Sequence, residues 1–255
     1  MRPLDLLLYL FGNRRAIEHV AGTRYAWVIG AILVLTAGIA RNYDHLDLMR
    51  EPEWFIGPFA ASIISTLFIY FCVSSALQLD KVGEKGQLKV FLTLVWLTAP
   101  CAWIYGIPVE SFTNIVTATK WNIGFLAVVS LWRVALMVRA VSVLATVPWV
   151  RVLPLILAPA ALEMMVGAFY KRLSLVGIMG GVRLPPESEL LISATRILQI
   201  ASFWAFIISS IACFTIRAKA KSPLNRPNEP LRWSILTTAV ISLLLWIAAA
   251  LPWQI

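Results

Sequence analysis

Apolar residues run along this chain in long unbroken stretches, and polar residues gather between them. Seven stretches stand out, at roughly 24–40, 55–79, 88–107, 122–147, 153–170, 190–216 and 233–251. Each is close to the ~20 residues a helix needs to cross a ~30 Å hydrocarbon slab. None alternates apolar with polar, so a barrel is excluded, and helices are the remaining way to satisfy a spanning backbone. The pattern predicts an all-α polytopic integral membrane helix bundle, one domain over residues 1–255, with about seven transmembrane helices. The first stretch is the shortest, and Pro154 and Pro159 interrupt the fifth.

Three segments fall outside that pattern. Residues 3–22 mix Leu, Tyr and Phe with Asp, Arg and Glu, which predicts an N-terminal helix lying in the membrane interface. The apolar run Leu6–Phe11 is too short for a secretory leader and Arg14 and Arg15 follow it, so the mature chain is expected to start near Met1. Residues 173–182, LSLVGIMGGV, are apolar but too short to cross; an interfacial or re-entrant segment and a folded-over loop fit equally well. The stretch 222–230, SPLNRPNEP, reads as a loop. No loop exceeds about twenty residues, so none can hold an independent catalytic domain.

Composition agrees with a membrane class. Only 14% of residues are charged, against ~25% in soluble domains. The net charge of +9 raises the question of nucleic acid. The basic residues form no stripe and sit in short segments between apolar runs, so nucleic acid is excluded as a partner. Their distribution has a simpler cause. With seven crossings, thirteen Lys and Arg fall on the side of the N-terminus and six on the other. The positive-inside bias then places the N-terminus in the cytoplasm and the C-terminus outside. Tyr25, Trp27, Trp54, Trp103, Trp121, Trp149, Trp233 and Trp253 lie at the ends of stretches, as interfacial aromatics do. Trp96, Trp132, Trp204 and Trp246 are interior and are expected to be packing.

The segment Gly83-Glu-Lys-Gly86 leads through Leu88-Lys-Val-Phe-Leu into a span, LTLVWLTAP, that contains Pro100. A later span, LAVVSLWRVALMVRA, carries a tryptophan and runs into small residues, and the chain opens with LLYLFGNRRAIEHVAGTRYAW. Over roughly residues 5–165 this resembles the Yip (Rab-interacting) family of multispanning membrane proteins, in its bacterial form. The resemblance implies a bacterial inner-membrane protein that organises partners or lipids, and it implies no catalytic residue. Eukaryotic members are associated with vesicle-trafficking GTPases and membrane shaping. The family usually has five spans where seven are read here, and the acidic N-terminal signature of eukaryotic members is absent.

Charges inside the spans are the candidate chemistry. Arg133 and Arg139 lie in the fourth span, roughly 17 Å and roughly 26 Å from its outer end at ~1.5 Å per residue. Arg139 can therefore snorkel to the cytoplasmic face. Arg133 is near the middle, where a cation costs at least ~2.5–3.5 kcal/mol and needs a partner or water. Glu163, in the fifth span, is about 7 Å from it in depth, and Arg196 in the sixth span is roughly level with Glu163. Pro159 sits one turn before Glu163 and leaves the carbonyl of Leu155 without its usual donor. Arg133, Glu163, Arg196 and Pro159 are therefore expected to form one intramembrane polar cluster. As an ion pair it would fix helix register; as a site it would serve a substrate or a proton.

Elsewhere the chemistry is sparse. The outer loop 41–54 holds Asp44, His45, Asp47, Glu51 and Glu53, but no ligand spacing is met and a solvated turn is expected. Cys72, Cys101 and Cys213 are distant from one another and read as small buried hydrophobes. No metal site or cofactor is expected. The nucleotide, metalloprotease and serine-hydrolase signatures are all missing. The expected function is non-enzymatic: binding or organising lipids, a protein partner or further copies of the chain. The alternative is a small transporter component using the Arg133–Glu163 cluster, and a weaker third is a lipid-modifying enzyme.

Overall fold

A computed structural model describes residues 3–41, 53–77, 88–176 and 185–219. The described residues form eight α-helices: α1 (Pro3–Leu10), α2 (Arg14–Ala21), α3 (Ala26–Arg41), α4 (Glu53–Leu77), α5 (Leu88–Trp96), α6 (Ile115–Ala145), α7 (Trp149–Val176) and α8 (Pro186–Lys219). Two short 3-10 segments, Ala99–Gly106 and Val109–Ser111, join α5 to α6. Five segments are long and apolar enough to cross a membrane: Phe59–Leu77, Leu88–Ser111, Ile115–Ala145, Trp149–Ala168 and Pro186–Thr215. With α2, α3 passes the same test, but the two are bent by 109°. The protein is thus an all-helical membrane protein with five or six such helices among the described residues. The expected seventh span, 233–251, lies outside them, as do 222–230, most of 173–182 and most of the 41–54 loop.

The N-terminal segment departs from a single interfacial helix. Gly12 adopts φ 70, the left-handed region that favours glycine, and ends α1. Asn13 then caps α2, its side chain accepting from the N–H groups of Arg15 and Ala16 at 3.0 and 3.3 Å. Spacing does the rest: Ala16, Ile17 and Val20 share one face of α2 and are buried, while Arg14 and Arg15 are exposed. Tyr9, Ile17 and Val20 join Leu33, Leu94, Leu97, Ala140 and Leu144 in one core cluster. The helix pair is a wedge docked in the bundle, though Leu4 and Leu7 of α1, and Phe11 just after it, are exposed.

Proline decides the shape of the third span. Pro100 has no N–H to give the carbonyl of Trp96, so α5 stops there. The chain tightens into the 3-10 segment, with Cys101 N–H donating to Thr98 O at 3.1 Å. Thr98 stands at the break, wholly buried. The prolines of α7 act differently from expectation. Helix α7 continues through Pro154 and Pro159, both buried. Tertiary packing against α4, α6 and α8 holds it.

Helix α3 lies against α5 and the 3-10 segment at short range. A Cβ at Gly30 would meet the Cβ of Trp96 at 2.9 Å. A second cluster, including Ile69, Val73, Phe91, Val138, Val141 and Ile156, joins α4, α5, α6 and α7. Helix α8 packs chiefly on α7 and presents Ile197, Ile200, Phe203, Trp204, Ile208 and Ile211 outward, as a lipid-facing helix does.

Candidate functional site

The intramembrane charges occupy two separate places. On α6, Arg133 shares the inward face with Val129, Leu136, Met137 and Ala140, all buried and one or two turns away. That face meets the break in the third span. Arg133 Nε donates to Thr98 Oγ1 at 3.0 Å, and Thr98 in turn donates to the Val95 carbonyl at 2.6 Å. The titratable groups that act on the guanidinium are Tyr105, Cys101 and Tyr9. The Tyr9 hydroxyl is itself committed, donating to the Leu94 carbonyl at 2.6 Å. Burial raises the Tyr9 phenol above the ordinary tyrosine range.

Trp132 and Arg139, on the neighbouring side of α6, hold the N-terminal wedge. Trp132 Nε1 donates to the Leu10 carbonyl at 2.9 Å, and Arg139 Nε to the Gly12 carbonyl at 3.3 Å. The Leu10 carbonyl is at the end of α1, where a helix leaves carbonyls without intrahelical donors, and the Gly12 carbonyl is in the turn that follows. The residues lie seven apart, two turns, so one strip of α6 caps the whole terminus. Arg139 was expected only to snorkel and Trp132 only to pack. Trp132 instead ties α6 to the end of α1, and Arg139 ties it to the turn between α1 and α2.

Glu163 sits elsewhere, 8% exposed, on α7. Its Oε2 accepts from the Ser65 hydroxyl of α4 at 2.7 Å, and its buried Oε1 has no hydrogen-bond partner. Cys72, two turns along α4 from Ser65, lies within electrostatic reach of Glu163 and of Cys213 on α8. All three cysteines are free thiols.

The expected single cluster is therefore corrected. Among the described residues, Arg14 pairs with Glu18 at 2.9 Å, His19 Nε2 lies 3.5 Å from Asp5 Oδ2, and no ion pair joins Arg133 with Glu163. Helices α6 and α7 do touch, but through Val138, Val141, Val152 and Ile156 rather than through their charges. Spacing along the spans puts Arg133 and Glu163 close in depth, but Arg133 is engaged by Thr98 of the third span and Glu163 by Ser65 of α4. Arg196 is exposed on α8 and makes no ion pair among the described residues. Pro159 is buried one turn from Glu163, as expected from spacing. Sequence reading missed Ser65, Thr98, Tyr9 and Gly12. Pro100 was the available signal for Thr98, and the Gly12-Asn13 pair for the turn.

A third feature is an exposed basic edge. Arg14, Arg15, Arg24 and Lys89 are all exposed around the wedge. Arg24 lies over the Tyr25 ring at 5.6 Å and Lys89 over the Trp27 ring at 5.7 Å. Among the described residues no group of three or more His, Cys, Asp or Glu is placed to hold a metal ion. In comparisons with protein-family models, curated proteins and solved structures, the chain matches none.

Proposed function

We propose that this chain is a non-enzymatic organiser of the bacterial inner membrane, Yip-like, which gathers lipids or a partner protein at its cytoplasmic face. The observation that carries this reading is the docked wedge. Trp132 and Arg139 are committed to fixing α1 and α2 against the bundle, and the fixed wedge displays Arg14, Arg15 and Arg24 beside Lys89. Clustered cations beside interfacial Tyr25 and Trp27 suit an anionic membrane surface, at about 1 kcal/mol per Lys or Arg near that surface. The excess of Lys and Arg on the N-terminal side supports a cytoplasmic position for this edge.

Native mass spectrometry of the full chain, extracted in mild detergent from its own membrane, tests the reading. A second polypeptide, a discrete homo-oligomer or retained anionic lipid is the expected result, weakened when Arg14, Arg15 and Arg24 are all replaced by Glu. A bare monomer, unchanged by those replacements, would sink it.

A small transporter component is the second reading. The break at Thr98–Pro100 inside the bundle favours it, because discontinuous spans build substrate sites in transporters.

A further inference from the structure

We propose that Arg133 is the core of an oxyanion-binding site at the break of the third span, taking a phosphate or carboxylate group. This inference does not depend on the organising role. The protein uses little of the guanidinium. An arginine side chain has five N–H donors in a planar fork. Here Nε alone is engaged, by Thr98. Neither Nη makes a hydrogen bond among the described residues, and neither is sealed in the way that Trp96 Nε1 and Glu163 Oε1 are. With Nε occupied, the end-on pair of Nη groups remains, the geometry that grips two oxygens of one carboxylate or phosphate.

Charge points the same way. Arg133 is half-buried beside buried Thr98, Cys101 and Leu136, and no carboxylate lies within 4.0 Å of it among the described residues. A cation at such a depth is paired or lines a polar path. Its neighbours supply hydroxyls and a thiol rather than a counter-charge. Thr98 is also fixed: it donates to Val95 O while accepting from Arg133, so it aims the guanidinium instead of competing for the anion. Thr98 is thus a positioning residue. Arg139 and Arg196 do not share these features, because Arg139 is exposed and serves Gly12, and Arg196 is exposed on α8.

The oxyanion could come from a lipid headgroup or from a small free anion, and one experiment separates the two. The full chain and its Arg133→Met, Arg133→Lys, Thr98→Val and Arg196→Met variants are purified in mild detergent. Native mass spectrometry reads retention of phosphatidylglycerol against phosphatidylethanolamine at equal mole fraction, and thermal unfolding reads the response to inorganic phosphate and to acetate. For a headgroup site, the unaltered chain prefers phosphatidylglycerol about tenfold and does not respond to the free anions. For a free-anion site, phosphate or acetate raises the unfolding temperature with no lipid preference. In either case Arg133→Met abolishes the effect, Arg196→Met keeps it, and Thr98→Val weakens it about threefold. Should Arg133→Met not fold, Arg133→Lys carries the test: it keeps the charge but not the fork, and must lose most of the effect. The proposal is overturned if the unaltered chain shows neither response, or if the Arg133 variant that folds responds as the unaltered chain does.

Discussion

The Ser65 hydroxyl donates to Glu163 Oε2 at 2.7 Å and so joins α4 to α7 inside the bundle. The other carboxyl oxygen has no partner, which leaves this bond as the only one Glu163 makes among the described residues. Interhelical hydrogen bonds in membranes average ~0.6 kcal/mol and reach ~1.7 kcal/mol. Ser65→Ala removes the only donor to a buried carboxyl, so a loss near the upper end is expected. Glu163→Gln keeps an oxygen for Ser65 and is expected to cost less than about half as much. Unfolding titrations in mixed micelles check both, and equal stability of Ser65→Ala and the unaltered chain would remove the bond from the account.

Gly12 is needed twice over. Its φ of 70 suits glycine, and an added Cβ would come within 3.3 Å of Arg139 Cγ. A left-handed conformation costs other residues roughly 1–2 kcal/mol. Gly12→Ala is therefore expected to destabilise by about that amount and to loosen the wedge, while Gly22→Ala, at a φ of −84, should be nearly silent. Hydrogen exchange at Ile17 and Val20 gives the readout. Faster exchange is expected in the first variant alone, and unchanged protection there would count against the docked wedge.

Much of the bundle is legible in the hydrophobic pattern, because a spanning helix must be both long and apolar. Six of the seven apolar stretches coincide with described helices; the seventh, 233–251, lies outside the described residues. Lateral arrangement is not legible in the same way. Spacing gives depth to within a turn, so Arg133 and Glu163 looked like neighbours. Which way each faces depends on packing between helices, and apolar faces look alike in a sequence. The N-terminal wedge shows the same limit. Its Gly12-Asn13 turn is local chemistry, visible in the residues. Its anchors, Trp132 and Arg139, lie more than a hundred residues away, and only the folded bundle brings them to Leu10 and Gly12.

Gly30 permits a close approach of α3 to α5. With the Cβ of Trp96 only 2.9 Å from where a Cβ at position 30 would sit, any side chain forces α3 and α5 apart. Small residues at membrane helix contacts serve this purpose. Overpacking typically costs ~1–3 kcal/mol. Gly30→Ala is expected at the low end and Gly30→Val at the high end. Gly124, with nothing within 4 Å of its added Cβ, is the control and should tolerate Ala without loss. Equal unfolding free energies for Gly30→Val and Gly124→Ala would contradict the close approach.

Tyr9 links stability to alkaline pH. Its ring is fully buried, its hydroxyl donates to Leu94 O at 2.6 Å, and burial raises its pKa above the ordinary tyrosine value of about 10. The unfolded chain would lose the proton near that ordinary value. A group whose folded pKa is the higher one stabilises fully below the unfolded pKa, and that stability is lost as pH rises toward the folded pKa. The contribution is thus complete at neutral pH and declines above about pH 10. Tyr9→Phe lacks the proton and the hydrogen bond. It is expected to be less stable at pH 7 by ~0.5–1.5 kcal/mol, the worth of one such bond. Its own stability should then fall less steeply between roughly pH 10 and pH 11, so that the two curves converge. The check is unfolding free energy against pH for both proteins, with absorbance at the tyrosinate band followed in parallel. Tyr9→Phe should leave the folded-state tyrosinate signal unchanged at the alkaline end, because Tyr9 does not ionise there. Parallel stability curves, or a signal reduced by the share of one tyrosine, would show that Tyr9 is not sealed against the bundle.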